Sequence, residues 1–225
     1  MRWVTYLSPS GGGERSGAVD DGYVFGYPGD QSVSELLADS RGALADAFQQ
    51  ALAAPVEIII EFEARLCAPL RPAVPVPART VKERLGIAPS LVRGTDDGAV
   101  LPPGADALSA AVGAAAVFGE SGRPVGYMPA CLWRTPDRAP AGLSLGPAIV
   151  TREELADSAL RVTAAVEDTE LAGATVDKGF AWAPGARGDV VAELPAETRL
   201  LERGEELFVD GGPLGAFEIR VGSGA

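Results

Sequence analysis

The residues best able to do chemistry lie in one segment, residues 108–134, near the middle of the chain. Tyr127 can donate a hydrogen bond from its phenol, Trp133 offers a broad wall and one N–H donor, and Arg134 can hold a carboxylate or an enolate-like head. These three are the candidate catalytic residues. Taken singly, each is more often a packed core residue or, for Arg134, a surface charge. The candidate substrate-binding residues are small or apolar: Ala111, Gly113, Met128 and Cys131.

Histidine is missing from the whole sequence. Its absence excludes a Ser-His-Asp triad, a Cys-His pair and a histidine-rich zinc site. The stretch between Asp106 and Glu120 also contains no acid. Acids elsewhere have structural explanations: Glu61 and Glu63 suit an exposed strand edge, and the pairs at 96–97, 153–154 and 205–206 suit turns or a helix start. None of them is expected to bind a metal.

Composition and charge limit the classes of protein to which the chain can belong. The chain has 225 residues, of which 47% are hydrophobic, and a net charge of −12. Such a surface repels a phosphate backbone, so no nucleic-acid partner is expected, and no basic face for a membrane is present. The two cysteines fit neither a disulfide framework nor a metal site. Because no signal peptide or long apolar run is seen, we expect a cytoplasmic protein without a membrane partner.

The first part of the chain reads as a hairpin-and-helix unit. RWVTYL and AVDDGYVFGY predict strands, with a hairpin turn at Asp21-Gly22. Ser32 and Glu35 form a capping box for a helix that ends before Pro55. EIIIEF at 57–62 predicts another strand. Four prolines between 69 and 77 then favour stiff, extended backbone, and we place a boundary there: a small N-terminal α/β domain, 1–70, and a β-rich core, 71–225.

Short strands and glycine turns dominate after Thr80, with many glycines and prolines and few aromatic residues. Thr151 and Glu154 form a second capping box at a helix start. The sequence from 160 to 176 predicts a hairpin around Asp168-Thr169, and the sequence from 198 to 221 predicts two or three strands. The expected fold class is mostly β with some α, an α+β protein.

The order of these features resembles the fumarylacetoacetate hydrolase family. LCAPLRPAVPVP, VLPPG, VGYMPA, SLGPAIVTREEL, VEDTEL and LLERGEELFVDGGPLGAFEIRV follow one another as the family's proline-rich entry, turns and strands do. The resemblance covers most of the chain, and the collinear order carries it. It implies a β-roll or barrel-like core beside a small N-terminal α/β domain, and it suggests a homodimer with covered sheet edges.

The resemblance also marks where this sequence departs from the family, which usually holds a divalent cation through carboxylates. The family's Glu-x-Glu pair falls on Ala111 and Gly113, and a further aspartate falls on or near Cys131. An earlier aspartate aligns loosely near Thr80. The substrate loop is at best AELP, residues 192–195, and the family's catalytic histidine cannot be present. The comparison therefore implies a site with no metal and no cofactor.

Three functions remain open from the sequence. The first is a metal-independent enzyme of secondary-metabolite, polyketide-type biosynthesis. It would fold a bulky hydrophobic carbonyl or enol substrate for cyclisation, cycloaddition or rearrangement in an apolar cavity around Ala111, Gly113 and Cys131. The second is a metal-dependent C–C hydrolase, decarboxylase or isomerase of the family. The third is a non-catalytic relative that binds a ligand or a partner.

Overall fold

The chain is mostly β with some α, as the sequence predicts. The computed structural model describes residues 1–38, 41–155, 159–183 and 185–224, and no helix within these ranges is long and apolar enough to cross a membrane. Sixteen strands and three α-helices lie in the described ranges. The first eight strands are β1 Arg2–Leu7, β2 Glu14–Asp20, β3 Tyr23–Gly26, β4 Ile58–Ile60, β5 Val76–Thr80, β6 Arg84–Ile87, β7 Val92–Arg93 and β8 Ala107–Phe118. The others are β9 Pro124–Arg134, β10 Pro140–Leu145, β11 Ile149–Thr151, β12 Leu160–Val166, β13 Thr169–Val176, β14 Val190–Glu202, β15 Glu206–Asp210 and β16 Ala216–Arg220. The helices are α1 Val33–Ala38, α2 Arg41–Ala53 and α3 Arg152–Leu155.

Two sheets account for the strands of the described residues. Twelve strands form one sheet in the order β4-β3-β2-β1-β11-β9-β8-β14-β5-β6, with β10 bonded to β9 and to β7. The other four form a smaller sheet in the order β13-β12-β15-β16. The large sheet does not close on itself, so the core is an open roll rather than a barrel. Its order places β8 between β9 and β14, in the middle of the protein.

The central strands are long, although the sequence after Thr80 suggested short ones. β8 has 12 residues, β9 has 11 and β14 has 13. Nearly every residue of β8 is buried, because the strand has a bonded neighbour on each side and a hydrophobic cluster on each face. A strand that is covered on both faces has a nearly continuous apolar sequence. Packing therefore accounts for the alanine-rich sequence of β8.

The N-terminal hairpin and helix form as the sequence predicts. Asp21 and Gly22 have φ of 45° and 78°, the left-handed conformations that a two-residue hairpin turn needs. The capping box is present, because the backbone N–H of Ser32 donates to Glu35 Oε2 at 2.7 Å and the backbone N–H of Glu35 donates to Ser32 Oγ at 3.3 Å. The helical segment divides into α1 and α2, and residues 39–40 between them lie outside the described ranges. Trp3 packs edge-on against Phe48.

Two local predictions are wrong. The strand predicted at 57–62 extends only over Ile58–Ile60, and Glu61–Glu63 form a 3-10 turn, in which Glu61 accepts a hydrogen bond from Arg2 at 2.8 Å. The second capping box also differs. Thr151 Oγ1 and Glu154 Oε2 both accept hydrogen bonds from the Met1 ammonium group, at 3.1 and 2.8 Å.

The strands of residues 1–70 belong to the same sheet as the core strands. β1 pairs with β11 through Arg2–Val150 and Trp3–Ile149, and β11 pairs with β9. The division at residue 70 stays a prediction.

At the outer end of the sheet, Ile58 and Phe62 expose 57% and 84% of their surface. The homodimer likewise stays a prediction.

Candidate functional site

The seven candidate residues lie on β8 and β9, which the sheet divides into two faces. Residues directly opposite each other on paired strands share a face, and successive residues alternate between faces. Ala111 and Met128 pack in one core cluster, and Tyr127, Cys131 and Trp133 pack in the other. We name the two sides the Ala111 face and the Trp133 face. Gly113 is opposite Ala130 and Arg134 is opposite Ser109, so both belong to the Ala111 face.

On the Trp133 face, the candidate donors already have partners. The Tyr127 hydroxyl donates to the carbonyl oxygen of Lys178 at 2.9 Å, and Trp133 Nε1 donates to Ser144 Oγ at 3.0 Å. Burial raises the pKa of the Tyr127 phenol and of the Cys131 thiol, so both stay neutral at neutral pH. The pKa of Cys67 is also raised, to about 11, mainly by burial. Neither thiol is activated as a nucleophile.

On the Ala111 face, the expected open space is filled by backbone. A Cβ atom placed on Gly113 would lie 2.9 Å from both the carbonyl carbon of Glu193 and Cα of Leu194, and closer still to the Glu193 carbonyl oxygen. The reason is a bulge in β14 between Glu193 and Ala196, which brings that strand over the glycine. Ala111 and Met128 are fully buried. The role of these residues in a substrate pocket stays a prediction, and among the described residues the backbone of β14 occupies the space beside Gly113.

A group of charged side chains, which we call the charged cluster, lies at the end of the Ala111 face: Lys82, Glu83, Arg134, Arg138 and Glu197. Arg134 Nη2 donates to Glu83 Oε1 at 2.6 Å, and Arg138 Nη1 donates to Glu197 Oε1 at 2.9 Å. Lys82 Nζ lies 3.4 Å from Glu197 Oε2, and Arg138 Nη2 lies 3.8 Å from Glu83 Oε1. The five side chains form a continuous chain of ion pairs.

Two turns and two strands bring this cluster together. Lys82 and Glu83 occupy the turn between β5 and β6, where both backbone N–H groups donate to Thr80 Oγ1 at 3.3 Å. Arg134 ends β9, and Arg138 lies in the following turn with a φ of 72°, a conformation that is uncommon outside glycine. Glu197 comes from β14.

Glu197 lies beside one of the positions where the sequence lacks an acid. It lies directly opposite Ala111 in the β8–β14 ladder and therefore shares its face. Burial alone would raise the pKa of Glu197, but hydrogen bonds from Arg138 and Lys82 outweigh it, and the pKa of this carboxyl lies below its ordinary value. Glu197 is therefore ionised at neutral pH. A carboxylate has about four lone-pair sites, so Glu197 can accept a further hydrogen bond from a ligand, while its lowered pKa makes it a weaker base than an ordinary glutamate.

Arg134 is a charged residue in a buried place. Its side chain is only 1% exposed, and among the described residues its Nε and Nη1 atoms have no hydrogen-bond partner. A cavity of about 390 Å³ lies beside the cluster and is lined by Lys82, Ser109, Arg138, Glu197 and Thr198, among others. Ser109 is directly opposite Arg134.

A larger cavity, of about 680 Å³, lies elsewhere, between the N-terminal hairpin and the start of α1. Glu14, Arg15, Gln31 and Arg71 are among the residues that line it. None of the seven candidate residues lines either cavity.

The charged cluster does not fit a metal ion. Nowhere in the described ranges do three acidic or cysteine side chains come together as a metal site requires. The positions matched to the family's acidic pair are Ala111 and Gly113. Thr80, near the loosely aligned aspartate, accepts the two turn hydrogen bonds described above. A cation entering the cluster would meet two carboxylates that are already paired with positively charged side chains.

A second group of charges lies around Glu193, four residues before Glu197. Glu193 accepts hydrogen bonds from Arg79 and, at 3.1 Å, from Trp182 Nε1. The guanidinium carbons of Arg79 and Arg84 lie 5.1 and 5.4 Å from the centre of the Trp182 ring, within the range of cation–π attraction. These contacts hold the segment around Trp182 against β14 and β5.

Sequence reasoning selected Arg134 but missed Lys82, Glu83, Arg138 and Glu197. The sequence offered one signal for three of these four residues, namely their position beside segments that we matched to the family. Lys82 and Glu83 follow Thr80, and Glu197 comes two residues after Pro195. No pattern in the sequence indicates that these places meet, because their contact depends on the turns and on the bulges of β14.

Among known proteins, this chain matches solved structures and not sequences. No family model matches the chain, and no curated protein matches it in sequence. Maleylpyruvate hydrolase from Sphingobium sp. SYK-6, in complex with manganese(II) and pyruvate, has a TM-score of 0.79 at 19% identity, over 100% of both chains. Fumarylacetoacetate hydrolase from Exiguobacterium antarcticum has a TM-score of 0.76 at 16% identity, over 98% of this chain and 99% of its own. The 2-hydroxyhepta-2,4-diene-1,7-dioate isomerase from Mycobacterium marinum has 0.72 at 16%, over 98% of each chain. The chain therefore has the fold of fumarylacetoacetate hydrolase and of these related enzymes.

Proposed function

We propose that this chain is an enzyme that moves a proton next to a carbonyl group and stabilises the resulting enolate with side-chain cations. The observation that carries the proposal is the charged cluster on the Ala111 face. One of its carboxylates, Glu197, lies directly opposite Ala111, a position that the resemblance matches to the family's acidic pair, and the cluster supplies both a carboxylate and several cations. The named hydrolases and isomerase of the same fold support an enzyme more than a scaffold.

The reaction can be written with the groups of the cluster. The Glu197 carboxylate accepts the proton from the carbon beside the carbonyl, and the C–H electron pair forms a C=C bond while the carbonyl oxygen becomes negative. Lys82 and Arg138 lie beside Glu197, at 3.4 and 2.9 Å, and can donate hydrogen bonds to that oxygen. Return of the proton to carbon or to oxygen completes the transfer. General acid–base catalysis of this kind contributes about 10²–10⁴-fold, and fixed donors to the oxyanion add to it.

The same site bears on the other functions considered. A metal-dependent hydrolase or isomerase agrees with the names of the solved structures of the same fold, but it would need acidic ligands, and no group of three acidic or cysteine side chains is found within the described residues. Ring formation on a bulky hydrophobic substrate would need a large apolar pocket. The cavity beside the cluster is instead lined mainly by polar side chains. A small carbonyl compound suits it better.

The test is exchange of carbon-bound hydrogen with solvent deuterium. Purified protein in deuterated buffer with excess EDTA is incubated with pyruvate, 2-oxobutanoate, acetoacetate or acetylacetone, and exchange is followed by proton NMR. We expect exchange above the buffer rate for at least one compound, and a loss of about 10²-fold in Glu197→Gln.

Glu193→Gln is the matched control, because Glu193 is also a largely buried glutamate of β14 paired with an arginine but is held against Trp182. We expect it to keep the wild-type rate. No exchange with any of the four compounds, or equal rates in the two variants, would overturn the proposal. Loss of exchange in EDTA that Mg²⁺ or Mn²⁺ restores would instead support the metal-dependent alternative.

A further inference from the structure

We infer that Arg134 is a positioning residue, which holds Glu83 and through it fixes Arg138 beside Glu197. The inference rests on the proposed function for the reaction, and it adds a residue that acts on this reaction without touching the ligand. Arg134 lines neither of the two cavities described above, and its side chain is only 1% exposed. A ligand in the 390 Å³ cavity meets Arg138 and Glu197, which do line it.

Arg138 has a fixed backbone but a long side chain that needs to be held. Its backbone N–H donates to the carbonyl oxygen of Thr135 at 2.8 Å, and the N–H of Thr135 donates to that of Ala139 at 3.0 Å, which closes the turn. Two carboxylates set the direction of the guanidinium group: Nη1 donates to Glu197 Oε1 at 2.9 Å, and Nη2 lies 3.8 Å from Glu83 Oε1. Because a long side chain loses much entropy when it is held in one rotamer, Arg138 stays in place only while both carboxylates do.

Glu83 is in turn held by Arg134. Glu83 lies in the turn between β5 and β6 and is 45% exposed, so solvent alone would leave its carboxylate free to move. Arg134 Nη2 donates to Glu83 Oε1 at 2.6 Å, and this is the oxygen that faces Arg138. Since Arg134 is enclosed in the closely packed end of β9, its own position is fixed. The rigid core is thereby connected to a side chain that lines the cavity.

The burial of Arg134 is better explained by this connection than by stability. Within the described part of the chain, its Nε and Nη1 atoms have no hydrogen-bond partner, and a buried charge that is only partly paired is costly. Buried ion pairs often stabilise a fold no more than apolar residues of the same size. The positive charge of Arg134 also competes with Arg138 for Glu83, which leaves Arg138 bonded to Glu197.

Arg134→Met tests the inference in the deuterium exchange assay. Without Arg134, Glu83 keeps Arg138 as its ion-pair partner and should draw it away from Glu197. We expect the saturated exchange rate to fall by about 10- to 100-fold, because a displacement of about 1 Å can cost about 10²-fold. The concentration of carbonyl compound that gives half of this rate should change by less than about threefold, since binding is unaffected. An increased half-saturating concentration at an unchanged saturated rate would show that Arg134 contacts the ligand and would overturn the inference.

Two further variants serve as rescue and control. Arg134→Lys keeps the positive charge and should exchange faster than Arg134→Met; equal rates in these two variants would contradict the inference. Arg187→Met removes the same charge from an exposed ion pair with Glu120 and should exchange as the wild type does. Methionine has a similar length to arginine, and Glu83 can be solvated when its partner is removed, so we expect Arg134→Met to melt at or above the wild-type temperature.

A double variant tests whether Arg134 acts through Glu83. Glu83→Gln breaks the same connection from its exposed side and should lose exchange to a similar extent. Arg134→Met combined with Glu83→Gln should then be no slower than Arg134→Met alone, because the second change removes nothing that the first has left. Losses that multiply in the double variant would show that the two residues act separately, which would overturn the inference.

The connection can also be measured without any reaction. A guanidinium group that is held in place gives separate NMR signals for its two Nη atoms, and free rotation averages them. We expect separate Arg138 signals in the wild type and in Arg187→Met, and averaged signals in Arg134→Met and Glu83→Gln. Separate and unshifted Arg138 signals in both of the latter variants would overturn the inference.

The outcomes separate this inference from the proposed function. If no carbonyl compound exchanges, the proposed reaction fails, and the Arg138 signals still decide whether Arg134 positions Arg138. If exchange is lost in Glu197→Gln but keeps the wild-type rate in Arg134→Met, the reaction stands and the inference fails.

Discussion

Replacing Gly113 by alanine tests whether this position borders packed backbone or open space. In the structure, the new Cβ atom would approach the Glu193 carbonyl carbon and Cα of Leu194 to 2.9 Å, with the carbonyl oxygen closer still. All three atoms belong to backbone, so no side chain can rotate away. Overpacking of a core costs about 1–3 kcal/mol, and a clash with backbone places Gly113→Ala at the upper end, about 3 kcal/mol. For a chain of this size, that loss lowers the melting temperature by about 6–12 °C.

Gly86→Ala is the matched control. Gly86 is also a strand glycine with an ordinary backbone φ, and the nearest atom to an added Cβ is Pro75 Cβ at 3.5 Å, an ordinary contact. Since alanine restricts the unfolded chain more than glycine does, this change should leave stability unchanged or raise it by about 0.4–1 kcal/mol. Urea denaturation of both variants measures the difference. If Gly113→Ala lies within about 1 kcal/mol of Gly86→Ala, open space exists beside Gly113 and the cavity predicted from the sequence regains support.

Three further changes test other parts of the structure. Thr198→Val removes the hydroxyl that accepts the buried N–H of Ala110 at 3.0 Å, and we expect a loss of about 1–3 kcal/mol in urea denaturation; a loss below about 0.5 kcal/mol would show that this N–H finds another acceptor. Ser32→Ala removes the cap of α1 and should cost about 1 kcal/mol, and an unchanged unfolding midpoint would contradict the capping box. Hydrogen bonds from Arg199 hold the pKa of Glu205 at about 2, below the ordinary value of 4.5. Its stabilising effect is therefore complete above about pH 4.5 and is lost as the pH falls through 2. Glu205→Gln should be less stable than the wild type in thermal unfolding at pH 7 and should approach it near pH 2; a difference that is constant with pH would contradict this.

The elements that local sequence determines were predictable. Asp21 and Gly22 form the expected turn, and Ser32 and Glu35 form the expected cap, because both depend on contacts between residues close in sequence. The mostly β fold followed from the collinear order of turns and strands. The division of the candidate site between two faces was also within reach, because Met128 and Arg134 have even numbers and Cys131 and Trp133 have odd ones on one regular strand.

The charged cluster could not be predicted in the same way. Glu197 faces Ala111 only because β14 contains register shifts between Glu193 and Ala196 and between Glu197 and Leu200. Each bulge changes which residues share a face. Pro195 lies in the first bulge and is a residue type that bulges accept, but a proline does not fix the register of the strand that follows it. Arg138 reaches the cluster through a turn whose left-handed backbone is not typical of arginine. Ala111 of β8, where the resemblance would place an acid, lies opposite the acid Glu197 of β14. The sequence does not show that these two residues are paired.

The pairing of β1 with β11 has a consequence for dividing the chain. β11 is only three residues long and lies between β1 and β9, and β9 ends at Arg134. If residues 71–225 were expressed alone, β11 would become an edge strand, and Ile149, now fully buried, would lose its partner Trp3. An exposed apolar edge is a template for aggregation. We therefore expect residues 71–225 to self-associate when they are expressed without the N-terminal strands.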